Sequence, residues 1–163
     1  MLLKSYNHYM KPELMSIEEF AEICADVLDV DIPDIVVSDE KMKDESPTTI
    51  GYMEYDKGNI TIYVRSKLNY KENIYELVAH ELRHIWQMEN LDDFEDLYET
   101  HIKSTEIGVD NYNEQFLEID ANAFMILAFK YLLNMSNNQP MFNTPALLKR
   151  VKELEESMGL DFL

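Results

Sequence analysis

The sequence predicts an α+β fold in which a small antiparallel sheet packs against helices. In residues 74–86 and again in residues 118–132, apolar side chains recur every three or four positions, which is the period of a helix with one buried face. In residues 59–64, Asn-Ile-Thr-Ile-Tyr-Val, apolar and polar side chains alternate, which is typical of a half-buried strand. A chain of 163 residues needs no second core, so we expect one domain over residues 1–163.

The first predicted elements are a helix and a short strand. Ser16 followed by Glu19 is a capping box, and the apolar pattern after it extends a helix to about residue 29. Pro33 ends that region, and residues 34–38, Asp-Ile-Val-Val-Ser, form a β-branched run that predicts a strand. The charged residues that follow predict a loop.

A hairpin is predicted next. Residues 48–55 and 59–64 flank Asp-Lys-Gly at residues 56–58, which is a turn sequence. The second strand leads almost directly into the first long helix. We therefore expect that second strand to lie beside the cleft that the helix borders.

The first long helix carries His80, Glu81 and His84. Asn69 followed by Glu72 is a second capping box, which begins this helix. Residues four apart on a helix lie one above the other, so the two histidines can offer ring nitrogens to one metal ion, while Glu81 projects about 100° round from His80. The histidines lie on the flank of the apolar stripe. A metal would therefore bind where this helix meets a neighbour, and a third ligand must come from elsewhere.

Glu118, on the second long helix, is the candidate third ligand; His101 could in principle replace it, but its surroundings, Glu-Thr-His-Ile-Lys at residues 99–103, show nothing that places it. Glu118 and Asn122 head the stripe that faces the core, and a carboxylate on a buried stripe is costly unless it is paired or bound to a metal. Asp120 points to the opposite side of this helix, and we interpret it as a solvated or locally capping carboxylate. The helix is predicted to extend to about residue 133.

The remaining segments are predicted from composition and capping. Residues 89–99 are acidic but lack the Asp-x-Asp-x-Asp-Gly order of a calcium loop, so a solvated face is favoured. Residues 104–113 are predicted to be a linker, in which Asn111 followed by Glu114 can cap the second long helix. Thr144 before a proline predicts the start of a last helix, which ends near residue 159.

His-Glu-x-x-His at residues 80–84, followed by Glu-x-x-Ala-Asn-x-Phe at residues 118–124, resembles the gluzincin zinc metallopeptidases. The second motif is most similar to that of the ImmA/IrrE-type proteases of bacteria and phages, although Arg83 stands where that branch usually has Gly. The resemblance implies a minimal zincin-like domain with Zn²⁺ as its cofactor. It also implies that Glu118 is the third zinc ligand, that Asn122 orients a ligand histidine, and that an edge strand pairs with an extended substrate.

The predicted function is hydrolysis of peptide bonds in a protein or peptide substrate, with Glu81 as the general base. The donor that stabilises the transition state stays open among Tyr112, Tyr98 and His101. An alternative is a zinc-binding regulatory or partner-binding domain with little or no turnover; such a domain is expected to lack the base, and Glu81 is present. A purely structural zinc module is weaker, because such sites usually use four Cys or His ligands.

Composition limits the partners and the compartment. The formal net charge of -18 argues against a surface for nucleic acid or anionic membranes, since either needs a basic patch. No stretch approaches the ~18 consecutive apolar residues of a membrane span, and the start has no secretory pattern. The single Cys24 excludes an intramolecular disulfide. We therefore expect a cytoplasmic protein.

Overall fold

The computed structural model describes residues 15–43, 45, 49–56, 59–66, 72–133 and 144–159. These residues contain three strands and several helices. The elements in chain order are α1 (Ile17–Leu28), β1 (Asp34–Val37), β2 (Gly51–Asp56), β3 (Asn59–Val64), α2 (Glu72–Asn90), α3 (Phe94–Glu99), α4 (Ser104–Ile107), α5 (Val109–Asn113), α6 (Phe116–Ala128) and α7 (Pro145–Ser157). The α+β class is therefore confirmed. No helix among these residues is both long and apolar enough to cross a membrane.

The sheet is mixed, and in this respect the prediction of an antiparallel sheet is wrong. β3 lies in the middle, with β1 and β2 at the edges. β2 and β3 are antiparallel, as the hairpin pattern predicts, but β1 runs parallel to β3, with Ile35 opposite Ile62. The cause is the long segment after β1, which carries the chain to the far edge before the hairpin returns β3 to the centre. The hairpin residues Lys57 and Gly58 lie outside the described residues.

The capping signal at the start of α1 is confirmed. The backbone N–H of Glu19 donates to Ser16 Oγ at 3.1 Å, and that of Ser16 donates to the Glu19 carboxylate at 2.9 Å. The helix ends at Asp29, which has φ 56° and closes the last turn. For α2, the proposed capping residue Asn69 lies outside the described residues. The apolar faces of α1 and α2 pack together in the main core, where Phe20 and Leu82 have no exposed surface.

Helix α6 is buried on nearly all sides. The predicted stripe from Glu118 to Leu132 is buried, but so are residues on the other faces, including Leu117, Ala121 and Leu127. The reason is that α2 packs on one side of α6 and α7 on another. After Ala128 the helix continues with π geometry to Leu133, in agreement with the predicted end.

The segment between α3 and α6 differs from the prediction of a linker. It folds into the short helices α4 and α5, separated by Gly108, whose φ of 81° suits glycine. Asn111 and Glu114 do not cap α6, because the Asn111 amide donates to Ile107 O at 2.8 Å and Glu114 ends α5. Gln115 occupies the capping position of α6 instead, without a side-chain hydrogen bond to that helix.

The other two segments agree with their predictions. α3, within the acidic run, has no buried residue. The start of α7 is as predicted, with the backbone N–H of Leu147 donating to Thr144 Oγ1 at 3.3 Å.

Candidate metal centre

Two histidines of α2 and one glutamate of α6 converge. The Nε2 atoms of His80 and His84 lie 3.0 Å apart. The Glu118 carboxylate approaches both rings, with Oε2 3.2 Å from His80 Nε2 and Oε1 3.5 Å from His84 Nε2. One ligand atom from each residue lies within 4.8 Å of the other two, so these side chains are positioned to hold a metal ion.

The donor set and its spacing fit a tetrahedral metal ion. Ligand atoms about 2.1 Å from such an ion are separated by about 3.4 Å, which is close to the distances observed here. Imidazole nitrogen and carboxylate oxygen are ligands that zinc and several other divalent metals accept. Glu118 has only 2% of its surface exposed, so a cation or an equivalent partner must balance its charge.

Asn122 lies beside His80, where the sequence predicts a partner for a ligand ring. His80 Nδ1 lies 3.0 Å from Asn122 Oδ1. Because an amide oxygen only accepts, this contact favours a hydrogen on Nδ1 and leaves Nε2 facing Glu118. Burial disfavours the charged ring, but the hydrogen bond and the charge of Glu118 outweigh it and raise the pKa of His80 to about 9. Conversely, burial opposes ionisation of Glu118, but His80 and the other donors around it lower the pKa of Glu118 to about 2.

Gln87 holds the ring of His84, and sequence reasoning missed it. Gln87 lies about one turn after His84 on α2, and its Oε1 is 2.8 Å from His84 Nδ1. The Gln87 amide also donates to Leu117 O at 2.9 Å and to Asp120 Oδ2 at 2.8 Å. The sequence does place Gln87 three residues after His84, and side chains at that spacing are neighbours on a helix. That spacing could have identified Gln87 as a partner of the His84 ring.

Asp120 is buried, so its interpretation as a solvated or capping carboxylate is wrong. Only 1% of its surface is exposed, and it accepts hydrogen bonds from Arg83 Nε and Arg150 Nε, each at 2.8 Å. Burial opposes ionisation, but the hydrogen bonds from Arg83 lead the effects that keep the pKa of Asp120 below its ordinary value. Asp120 therefore lies against side chains of both α2 and α7 rather than in water. Asp120 is not one of the three side chains that are positioned to hold a metal ion.

His80, His84 and Glu118 line a cleft of about 570 Å³. Glu81 lines it, and burial raises the pKa of that carboxyl above its ordinary value. Tyr52 and Met53 of β2 form part of the wall. The expectation that the second hairpin strand lies beside the cleft is therefore wrong in detail, because β3 is the central strand and the edge strand β2 reaches the cleft.

The three candidate donors, Tyr98, His101 and Tyr112, all line this cleft. His101 Nε2 lies 3.4 Å from Glu118 Oε1, and its ring meets that of Tyr112 edge-on at 5.1 Å. Burial, together with the negative charge of Glu118, raises the pKa of Tyr112, so its hydroxyl keeps its proton. Burial lowers the pKa of His101, which favours the neutral ring.

No family model, curated protein or solved structure matches this chain. The geometry and chemistry of the site are therefore what support a functional assignment.

Proposed function

We propose that this protein is a zinc-dependent metallopeptidase of the gluzincin type, nearest to the ImmA/IrrE-type branch, and that it hydrolyses peptide bonds of a protein substrate in the cytoplasm. One observation supports it above all. His80, His84 and Glu118 are positioned for a metal at a cleft that Glu81 also lines. Two histidines and a glutamate form a ligand set of catalytic zinc sites, in which a fourth position stays open.

Glu81 is the proposed general base. A zinc ion at this site would supply a Lewis acid that makes a water molecule acidic and polarises the peptide carbonyl. Glu81 accepts the proton of the attacking water and passes it to the leaving amine. Burial raises the pKa of Glu81, which makes its carboxylate a stronger base. Positive charge on His80 and His84 acts in the opposite direction and favours the ionised carboxylate.

Tyr112 and His101 are the proposed donors to the developing oxyanion. Both line the cleft beside Glu118, and the raised pKa of Tyr112 keeps its hydroxyl available for donation. Tyr98 is less suited, because 64% of its surface is exposed and water competes for its hydroxyl.

The edge strand β2 is the proposed docking strand for an extended substrate. Only one side of β2 pairs within the described sheet, and its Tyr52 and Met53 lie on the cleft wall. A peptide that adds to this edge would pass the metal site with its backbone held by strand hydrogen bonds.

The decisive experiment compares the zinc-loaded wild type with Glu81→Gln on a cytosolic protein extract, with new peptide N-termini counted by mass spectrometry. Glutamine keeps the shape of glutamate but cannot accept the proton, so the variant should bind one zinc per chain and cleave about a hundred- to ten-thousand-fold more slowly. Glu89→Gln, an exposed change on the same helix, is the matched control and should cleave like the wild type.

Two outcomes would contradict the proposal. One is cleavage by Glu81→Gln at the wild-type rate, and the other is an absence of new N-termini with the zinc-loaded wild type. The first result would exclude Glu81 as the general base, and the second would favour the alternative, a zinc-binding regulatory or partner-binding domain with little or no turnover.

A further inference from the structure

A chain of hydrogen bonds joins the buried carboxylate of Asp120 to the ring of His84. His84 Nδ1 lies 2.8 Å from Gln87 Oε1, and Gln87 Nε2 lies 2.8 Å from Asp120 Oδ2 and 2.9 Å from Leu117 O. Gln87 has no exposed surface, so water cannot replace these partners. The amide therefore depends on the protein for each of its hydrogen bonds.

The chemistry of these partners fixes the direction of each bond. The Leu117 carbonyl and the Asp120 carboxylate only accept hydrogen bonds, so the Gln87 NH₂ must face them and Gln87 Oε1 must face His84. An amide oxygen also only accepts, so His84 Nδ1 carries the hydrogen. In the neutral ring the lone pair is then on Nε2. This agrees with the 3.0 Å distance between the Nε2 atoms of His84 and His80, because one of them must accept.

Asp120 is itself held by side chains of two other helices, α2 and α7. Arg83 of α2 donates to both of its oxygens, at 2.8 and 3.2 Å, and Arg150 of α7 donates to Oδ1 at 2.8 Å. The guanidinium of Arg83 also stacks on Trp86, with Cζ 3.7 Å from the ring centre. Asp120 therefore has little freedom to turn away from Gln87.

We propose that Gln87 and Asp120 are positioning residues for the metal ligand His84. Gln87 selects the ring tautomer that leaves Nε2 free to bind, and Asp120 keeps the Gln87 amide in the required orientation. Replacing the carboxylate with an amide leaves one acceptor oxygen, for which Arg83 and Arg150 compete with Gln87. The Gln87 amide can then turn its NH₂ toward His84, and the proton of the neutral ring moves to the metal-facing Nε2. The inference rests on the metal site of the proposed function but holds whether or not the site cleaves peptides.

The test uses full-length Gln87→Met, Asp120→Asn and the double variant. Methionine is close to glutamine in shape but neither accepts from His84 nor donates to Asp120. Zn²⁺ affinity is measured by competition with a coloured chelator. In the metal-free proteins, long-range ¹H–¹⁵N NMR spectra identify which ring nitrogen of His84 carries the proton, a property that general loss of stability would not change.

The matched control is Glu155→Gln. It removes another carboxylate between α6 and α7, which pairs with Lys130 at 2.5 Å and with Tyr131. It should lower stability without changing zinc affinity or the His84 tautomer, because Glu155 bonds Lys130 and Tyr131 rather than Gln87 or Asp120.

We expect each single variant to lose about ten- to a hundred-fold in zinc affinity, as when the partner of a ligand histidine is removed. The wild type should carry the His84 proton on Nδ1, and Gln87→Met should carry a substantial fraction on Nε2. The double variant should bind zinc no more weakly than Gln87→Met alone, because Asp120 acts through Gln87.

Three results would overturn the inference. They are an unchanged affinity in Gln87→Met, a wild-type His84 proton on Nε2, and losses that add in the double variant. Should Asp120→Asn fail to fold, Arg150→Met replaces it, since Arg150 is half-buried and holds the same carboxylate. Its smaller loss should likewise disappear in the Gln87→Met background, and a loss that persists there would contradict the role of Asp120.

Discussion

At the scale of single residues, protons and a metal ion compete for the same atoms. His80 Nε2 and the Glu118 carboxylate are 3.2 Å apart and form an ion pair when no metal is bound. The pair raises the pKa of His80 to about 9 and lowers that of Glu118 to about 2. Zinc can bind only after His80 has lost its proton, because a protonated imidazole has no free lone pair.

The affinity for zinc should therefore depend on pH well above the range expected of an ordinary histidine. Between pH 7 and about 9 it should rise about tenfold per pH unit, with one proton released from His80, and it should level off once the pH passes the pKa of about 9. Chelator competition at a series of pH values measures this. An affinity that stays flat from pH 7 to 9 would show that His80 is already neutral.

The metal-free protein should respond to pH in the opposite sense. Because the pKa of His80 is raised from 6.5 to about 9 by folding, its contribution to stability is complete below pH 6.5 and is lost as the pH rises through 9. Because the pKa of Glu118 is lowered from 4.5 to about 2, its contribution is complete above pH 4.5 and is lost toward pH 2. Thermal unfolding with a chelator present should show that the His80–Glu118 pair contributes fully to stability between pH 4.5 and 6.5. The control is His80→Ala, whose stability should lack this contribution at every pH.

At the scale of elements, close approach of β2 to α2 forms one wall of the cleft. A Cβ atom on Gly51 would lie 2.2 Å from Tyr63 O of β3 and 2.4 Å from Leu77 Cδ2 of α2. Both distances are far below van der Waals contact. The missing side chain at Gly51 therefore lets the helix pack on the strand that carries Tyr52 and Met53.

Gly51→Ala should destabilise the protein by about 1–3 kcal/mol, since the added methyl group overpacks a junction in which the backbone oxygen of Tyr63 cannot move aside freely. Urea unfolding in the presence of a chelator measures the change. Asp56→Ala, at the exposed end of the same strand, is the control and should change stability by less than about 0.5 kcal/mol. Equal effects in the two variants would mean that the junction tolerates the extra atom.

At the scale of the whole molecule, the candidate metal site lies between the two central helices. α2 supplies His80 and His84, and α6 supplies Glu118. A metal ion bound to all three would add a cross-link between elements that already share a core. Metal binding to the folded state alone stabilises it by mass action.

Removal of zinc should therefore lower the temperature of unfolding. At free zinc one hundred times the dissociation constant, the stabilisation is about 2.7 kcal/mol. Differential scanning calorimetry with zinc and then with a chelator measures it. His80→Ala and Glu118→Ala should show no shift on adding zinc, whereas Glu89→Gln should respond like the wild type. A full response in His80→Ala would exclude the proposed site.

By itself, the sequence determined the features that depend on neighbours along the chain. The pair His80 and His84 could be recognised because residues four apart on a helix always meet. The capping box at Ser16 and the pairing of β2 with β3 were also predictable, because a few adjacent residues decide them. The downstream motif identified Glu118 and Asn122 as candidates, and the structure brings both to the predicted histidines.

Only the tertiary structure decided which surfaces each helix and strand presents to other parts of the chain. Periodicity shows which face of α6 is apolar, but not that side chains of α2 and α7 enclose Asp120, so the pattern alone predicts a solvated carboxylate. Likewise, alternation identifies a strand but not its neighbours, and β2 rather than β3 reaches the cleft. Gln87 acquires its role only because α6 brings Leu117 and Asp120 within hydrogen-bond distance. The physical reason is common to these cases: contacts between distant segments depend on how whole elements pack, and no local pattern encodes that packing.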